Sequence, residues 1–408
     1  MKRHSFEGIP VVIGSLIMQL SLGALYAWST FSASLKEVYG LTASQASTIF
    51  GVAVITFTVT MIPGGRGVAR YGPRRMAMVG ALLFISGYFT ASVAQGKYLY
   101  LLLGCGIMVG TGIGCFYTAP LTACLAWYPH RKGLMTGLAV AGFGAGSLIL
   151  STWAERLLEH GWDVHDVLRV VALVNGSCAL IGAALLRLPK TSTSGSSLPQ
   201  ESKAMQLRQL VRLRSFQAAV CGMFAATFGG LLVIGNLKSL GLSYGLPSAV
   251  AGLAVGIFAI GNAIGRLFWG TVFDRLGRWT LVLTLLIQAL VLFGMSAATD
   301  PTTFKILSFS CGFLFGAAFV LYAADLASEF GHGAIATVYP WVFLAYGIAG
   351  IAGPYVGGKT YDLTGSFAYA CIFAGLISLL GATGYLLFHY DWVREQLRTL
   401  SQGVAEPD

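Results

Sequence analysis

Charged side chains are scarce in this sequence: Asp, Glu, Lys and Arg make up only 10% of its 408 residues. Soluble domains carry about 25% charged residues, so the composition excludes an ordinary soluble protein. Apolar runs recur along the whole chain, and the hydrophobic share is 56%. A bilayer admits only helices or closed barrels, and a spanning helix needs about 20 mostly apolar residues. Because the apolar runs reach this length, we expect an all-α membrane protein with many spans.

Motifs of enzymes and metal sites are lacking as well. The sequence contains no Cys-x-x-Cys and no His-Glu-x-x-His. All seven cysteines fall in apolar runs, where small packing residues are expected, and the six histidines fall in loops or near the ends of runs. We therefore expect no metal site, no cofactor and no enzymatic activity.

Twelve apolar segments have the length of membrane-spanning helices, and a polar stretch rich in Ser, Thr and Pro separates the sixth from the seventh. Such a composition indicates a flexible linker. We expect a six-helix bundle at 1–190, a linker at 191–213, a second six-helix bundle at 214–390 and a tail at 391–408. The segments are 9–33, 46–68, 75–95, 97–124, 133–156, 166–187, 214–238, 248–272, 279–298, 303–327, 334–358 and 367–390.

Most of the 26 Lys and Arg residues fall in the connections on the side that holds both ends of the chain. Cytoplasmic loops carry an excess of Lys and Arg, so this bias predicts that both termini are cytoplasmic, in a cell inner membrane. The bias also accounts for the high pI of about 9.3, which therefore does not indicate a nucleic-acid partner. We expect lipid as the surrounding partner and a monomer.

The two halves of the chain repeat one motif. Gly65-x-x-x-Ala69-Arg70-x-Gly72 follows the second segment, and Gly270-x-x-x-Asp274-Arg275-x-Gly277-Arg278 follows the eighth, 205 residues later. Two parallel six-helix repeats with this loop motif resemble the major facilitator superfamily. The resemblance implies two six-helix bundles around a central substrate cavity, with the second loop as a gating motif. The first copy has Ala69 where the family has Asp.

Arg266 lies deep inside the apolar stretch Gly252–Arg278. Insertion scales assign a cation at such depth a cost of about 2.5–3.5 kcal/mol, so it is expected to face a protein interior or a watery cavity and to have a partner. The other half has Met61 at the corresponding position. We interpret Arg266 as an anion site; the structural alternative is a fixed ion pair between helices, for instance with Asp325.

Four further stretches narrow the resemblance to the monocarboxylate transporters and the oxalate/formate antiporter group: Leu25–Ser29, Trp127–Gly146, Gly261–Arg266 and Ala345–Gly365. This resemblance implies that Arg266 binds a substrate carboxylate. Asn262 stands where related transporters have an Asp linked to proton coupling, and an Asn side chain cannot titrate. Tyr346 stands where the antiporter has a second cation. A single buried cation favours a monocarboxylate.

The resemblance and helical spacing add further residues to the candidate site. For each of the aromatic residues, packing alone is the alternative explanation. Asp325 is the candidate for proton coupling, although its surroundings also fit a helix end. The remaining candidates are Tyr117, Tyr26, Leu25, Phe143, Phe315 and Phe319.

Together these patterns predict a secondary active transporter of small monocarboxylates such as lactate or pyruvate, which works by alternating access. Proton symport and anion exchange both remain open for the coupling. An oxalate/formate-type exchanger is the alternative within transporters. A signalling receptor of transporter-like fold would need an added output domain, and only 18 residues follow Tyr390.

Overall fold

The computed structural model describes residues 7–25, 27–41, 43–189, 207–331 and 334–389, and the regular structure in these ranges is helical throughout. The predicted tail at 391–408 and most of the predicted linker lie outside the described residues. The helices are α1 (Ile9–Leu22), α2 (Trp28–Tyr39), α3 (Ala43–Tyr71), α4 (Pro73–Ser92), α5 (Tyr98–Leu101), α6 (Val109–Phe116), α7 (Thr118–Trp127), α8 (Lys132–Glu159), α9 (Val164–Leu185), α10 (Leu207–Leu210), α11 (Arg214–Ser243), α12 (Ser248–Leu276), α13 (Trp279–Met295), α14 (Pro301–Phe330), α15 (Ala334–Thr337), α16 (Tyr339–Thr364) and α17 (Ala368–Phe388).

The helices account for all twelve predicted segments. Among the described residues, ten helical stretches are long and apolar enough to cross a membrane, and two shorter apolar helices, Ile9–Leu25 and Trp279–Met295, complete the set. Large apolar side chains such as Leu290 and Leu380 are exposed on the outside of the bundle, as a lipid environment requires. The prediction of an all-α membrane protein with twelve helices is confirmed.

Two of the predicted segments are not single α-helices. The first breaks after α1 into a 3-10 turn at Gly23–Leu25, and α2 then continues to Tyr39. The fourth contains a π-helical stretch at Leu102–Met108. Such irregular turns within a membrane are tolerated where protein covers the backbone, and Gly23, Ala24 and Leu25 are all buried.

The repeat of the two halves is also visible where helices end. Tyr39-Gly40-Leu41 follows the first span and Tyr244-Gly245-Leu246 follows the seventh, again 205 residues apart. Gly40 and Gly245 have φ of 69° and 75°, a left-handed backbone that glycine adopts without steric cost. The division into two bundles stays a prediction, although α11 begins at Arg214, where the second bundle was expected.

The halves meet at two groups of helices. In the first group α8 packs on α12, where Gly133 and Gly270 lie against each other's carbonyl oxygens. In the second group α3 packs on α16 and the short α15, where Gly65 lies against the Ala336 carbonyl. We call the end of the molecule where these contacts lie the motif end, because it holds the Gly270–Arg278 segment.

Candidate functional site

Arg266 is fully buried in α12, with 1% of its surface exposed. Its helix approaches two neighbours closely because small residues flank the arginine. A Cβ on Gly265 would overlap the Phe313 carbonyl of α14, and a Cβ on Gly137 of α8 would lie 2.6 Å from the Arg266 carbonyl oxygen. These glycine contacts hold the guanidinium between the two halves of the chain.

The polar partners of Arg266 are both uncharged. Its Nη1 donates to the Val140 carbonyl oxygen of α8 at 2.7 Å, and its Nε donates to Asn262 Oδ1, one turn earlier, at 3.3 Å. Within the described ranges no carboxylate forms an ion pair with Arg266. The site therefore holds a buried positive charge with only neutral acceptors around it, an arrangement that favours an anion.

Two aromatic rings flank the guanidinium. The Arg266 Cζ lies 4.6 Å from the ring centre of Phe319 in α14 and 5.5 Å from that of Phe143 in α8. Both distances fit cation–π contacts, so each half contributes one ring. The third predicted ring, Phe315, lies one layer further out: it packs against Phe319 with centroids 5.1 Å apart.

Phe343 of α16 is the centre of the aromatic cluster and was missed in the sequence. Its ring centroid lies 5.2 Å from Tyr117, 5.0 Å from Tyr346, 6.0 Å from Phe319 and 5.4 Å from Phe57. One signal could have found it, because Phe343 lies three residues before Tyr346 and so shares its helix face.

Two of the three predicted tyrosines, Tyr117 and Tyr346, are buried in this cluster. Tyr117, at the junction of α6 and α7, is 6.1 Å from Phe143 between ring centres, and Tyr346 is 5.3 Å from Phe319. Tyr339, a second residue that the sequence did not single out, donates its hydroxyl to the Phe319 carbonyl at 3.2 Å and hydrogen-bonds with the Tyr117 side chain.

The last two predicted residues belong to the first span. Leu25 is buried in the 3-10 turn between α1 and α2. Tyr26 lies outside the described residues. The turn itself is the irregular point of the span, and Gly23 there lies against the backbone of Gly146 and Ser147 in α8.

Asp325 of α14 belongs to a different cluster, at the motif end. It is 2% exposed; Oδ1 accepts from Arg278 Nε at 2.8 Å and Oδ2 accepts from the Tyr385 hydroxyl at 2.9 Å. Arg278 also pairs with Glu329. The alternative in which Asp325 pairs with Arg266 is therefore wrong, because Asp325 forms its ion pair with Arg278.

The Gly270–Arg278 segment joins the halves through Asp274. Its Oδ1 accepts from the backbone N–H of Gly133 at 2.8 Å and its Oδ2 from that of Leu134 at 2.9 Å. These are unpaired donors of the first turn of α8, and a carboxylate there also meets the positive end of the helix dipole. The segment closes the motif end by capping a helix of the other half.

An open cleft of about 780 Å³ adjoins this closure. Arg275 and Gly277 line it together with Arg278, Asp325 and Glu329. The lining does not include Arg266 or the aromatic residues around it, so the cleft and the buried arginine are separate places. Gly277 ends α12 with φ of 55°.

The first copy of the motif makes a different contact. Gly65 lies against the Ala336 carbonyl, and the Arg66 Cζ lies 6.0 Å from the ring centre of Trp341 at the start of α16. Ala69 supplies no carboxylate. The two copies thus share the glycine contact and differ in the charged one.

Comparisons with known proteins agree with this architecture. The family model described as Major Facilitator Superfamily matches residues 11–354 and 219–406. A variant of the E. coli fucose:proton symporter FucP has a similar solved structure, with a TM-score of 0.71, 15% identity, and coverage of 93% of this chain and 99% of that one. At this identity the likeness concerns the fold alone.

Curated relatives are similar over most of their length. The oxalate:formate antiporter of Oxalobacter formigenes is 27% identical over 351 residues, which cover 85% of this chain and 83% of the relative. Apicoplast pyruvate carrier 1 of Toxoplasma gondii is 26% identical over 445 aligned positions, with coverage of 84% and 81%.

Proposed function

The chain belongs to the major facilitator superfamily, and from this membership we propose that it transports small monocarboxylates, lactate- or pyruvate-like, by secondary active transport. The members of this family are membrane transporters of small molecules, so membership indicates transport. The substrate, the coupling and the orientation are our proposal.

Buried Arg266 carries the proposal. A guanidinium offers two parallel N–H donors that match a carboxylate, and it stays charged at any physiological pH. Its present partners, Val140 O and Asn262 Oδ1, are neutral, so a substrate carboxylate would supply the missing counter-charge. Among the described residues, Arg266 is the only buried cation, and Tyr346 stands where the resembling antiporter has its second cation. One cation favours one carboxylate.

The relatives support an organic acid as the substrate. One is named as an oxalate:formate antiporter and another as a pyruvate carrier, and both align over more than four fifths of this chain. Exchange of oxalate and formate is the second candidate function for this reason. The single buried cation argues against a dianion, which would bring one uncompensated charge into the site.

Alternating access would use the contacts at the motif end. In our proposal, Asp274 and the paired glycines close the cytoplasmic side, with both termini in the cytoplasm and the protein a monomer in the inner membrane. Opening requires α8 to leave Asp274, which breaks two hydrogen bonds. Asp325 is the candidate for proton coupling, because it is a buried carboxylate bonded to Arg278 beside this closure.

Counterflow in proteoliposomes tests the proposed function. Vesicles loaded with unlabelled lactate, pyruvate, formate or oxalate would receive labelled lactate outside, at two transmembrane pH gradients. We expect internal lactate and pyruvate to drive accumulation and oxalate to drive little. Accumulation driven by oxalate and formate alone would favour the exchanger. A dependence of net uptake on the pH gradient separates symport from exchange.

A further inference from the structure

Gln19 of α1 is a buried amide without a partner among the described residues. It is 0% exposed, and neither its Oε1 nor its Nε2 has a hydrogen-bond partner within those ranges. Thr118, the first residue of α7, is also 0% exposed, and its hydroxyl oxygen has none either. Buried polar atoms in proteins are nearly always hydrogen-bonded, because an unpaired one loses its interaction with water without compensation. Two such groups in one half call for an explanation.

Both groups belong to helices that carry or contact residues of the cluster around Arg266. The Gln19 Cβ contacts Gly142 of α8, where an added Cβ would lie 3.0 Å away, and the next residue, Phe143, stacks on Arg266. Thr118 follows Tyr117, whose ring lies 6.1 Å from Phe143. Among the described residues, Gln19 and Thr118 are the unpaired buried groups of the N-terminal half. The C-terminal half has four more, at Trp269, Thr280, Tyr322 and His389.

Another buried glutamine shows that the fold can satisfy such a side chain. Gln288 of α13, in the other half, is 2% exposed, and its Nε2 donates to Ala225 O and to Ser378 Oγ, both at 3.2 Å. Ser15, one turn before Gln19, donates to the Val11 carbonyl at 2.8 Å. The fold thus provides partners for Gln288 and Ser15, whereas Gln19 and Thr118 have none among the described residues.

We propose that Gln19, assisted by Thr118, binds the oxygen on C2 of the transported acid, so that the substrate class is a 2-oxo or 2-hydroxy monocarboxylate. This inference rests on the proposed function, in which Arg266 binds the carboxylate. The amide Nε2 donates to a keto oxygen, and Oε1 accepts from a hydroxyl group, so one side chain serves both classes. Acids such as acetate and propionate carry no oxygen on C2 and leave the amide unpaired.

The arrangement also gives the two halves separate tasks. Arg266 in the C-terminal half binds the charge common to all carboxylates, while Gln19 in the N-terminal half selects among them. A site with a buried polar group rejects an analogue that lacks its partner more strongly than an apolar site rejects a missing methylene. The parent protein should therefore prefer lactate and pyruvate to propionate by about tenfold or more in apparent affinity.

The test compares Gln19→Met with Gln288→Met in proteoliposomes. Competition of labelled lactate uptake by unlabelled lactate, pyruvate and propionate measures the preference. For Gln19→Met we expect weaker competition by lactate and pyruvate and stronger competition by propionate, which no longer leaves an amide unpaired, so that the tenfold preference disappears. Gln288→Met should lower the thermal unfolding midpoint and retain the preference, because that amide bonds only to protein.

A preference that survives in Gln19→Met would overturn the inference and would mean that the amide holds buried water. Should Gln19→Met not fold, the same competition experiment is performed with Thr118→Val, which keeps the shape of the side chain. We expect this variant to show a smaller preference for lactate over propionate than the parent. A parent that binds propionate as tightly as lactate also contradicts the inference, while the proposed function stands. A parent that takes up none of the monocarboxylates contradicts the proposed function itself.

Discussion

The two halves of the chain meet at the motif end through two kinds of contact. A glycine packs against a backbone carbonyl in both halves, whereas a helix-capping carboxylate is present in one. Gly65 and Gly270 occupy corresponding positions, 205 residues apart, and each lies against a backbone carbonyl of the opposite half, that of Ala336 or Gly133. Four residues later the halves diverge: Asp274 caps α8, whereas Ala69 has no carboxylate. Close helix approach is thus common to both halves, and the second half adds the charged contact of Asp274.

The opposite end of the molecule shows the reverse distribution of charge. The Tyr39 hydroxyl donates to Asp163 Oδ2 at 2.6 Å in the first half, whereas Tyr244 at the corresponding position donates to the Ser296 carbonyl at 3.2 Å. Of these corresponding contacts, the one with a carboxylate belongs to the second half at the motif end and to the first half at the opposite end. The repeat preserves backbone geometry, and the charged contacts differ between its copies.

The centre of the molecule differs most. Arg266 and Met61 correspond, and both are buried, but only Arg266 can bind an anion. The comparison teaches that a two-fold scaffold does not require a two-fold site. Substitutions that make one half resemble the other test which differences matter.

Arg266→Met gives the C-terminal half the residue of the N-terminal half. Removal of one partner of a buried charge pair costs about 2–5 kcal/mol, so we expect lactate uptake to fall by about 100-fold or more. Uptake is measured per amount of folded protein in the membrane. Met61→Leu is the control and should transport normally. Unchanged lactate uptake by Arg266→Met would show that Arg266 does not bind the transported anion.

Gly65→Ala and Gly270→Ala break the contact that the halves share. In each, the new methyl group would overlap a backbone carbonyl, and such overpacking costs about 1–3 kcal/mol. We expect both variants to show lower thermal unfolding midpoints and slower uptake. The matched controls are Gly51→Ala and Gly256→Ala on the same two helices, where an added Cβ meets nothing within 4 Å. Equal stability of all four variants would contradict the role of close approach.

Asp274→Ala gives the second motif the residue of the first. Loss of a helix-capping side chain costs about 1 kcal/mol, so a decrease in the unfolding midpoint smaller than that of Gly270→Ala is expected. Asp274→Asn retains one acceptor oxygen and should fall between the parent and Asp274→Ala. Labelling of a cysteine introduced near the Gly133 contact reports whether the motif end opens more often. A midpoint equal to that of the parent would show that the cap is unimportant.

Tyr39→Phe and Tyr244→Phe test the opposite end and should have the smallest effects. The hydrogen bond to Asp163, aided by burial and by the charge of that carboxylate, raises the pKa of Tyr39 from 10.0 to about 12. The stability that Tyr39 contributes is therefore fully present below pH 10 and is lost as the pH rises through 12. Unfolding midpoints at several pH values measure it. At neutral pH we expect Tyr39→Phe to lower the unfolding midpoint more than Tyr244→Phe does, because the acceptor of Tyr39 is charged. A larger decrease for Tyr244→Phe would contradict this prediction.

The candidate site illustrates how far single residues can be interpreted before the fold is known. Arg266 was singled out from its type and depth and Asn262, Tyr117, Phe143 and Tyr346 largely through the family resemblance, and the structure brings these residues together. Whether they bind substrate stays a prediction. Phe343, the ring that contacts both Tyr117 and Tyr346, was indicated in the sequence only by its spacing from Tyr346.

The sequence by itself determined the helices, the repeat and the depth of the buried cation. These properties depend on neighbours in the chain, because an apolar run of sufficient length must form a helix in lipid and because a cation within it must be compensated. Only the tertiary structure decided which partners meet. Arg278 rather than Arg266 bonds to Asp325. Gln19 finds no partner among the described residues, whereas the Nε2 of Gln288 donates to two acceptors. Such contacts join helices far apart in sequence, and the packing of one helix face against another selects them.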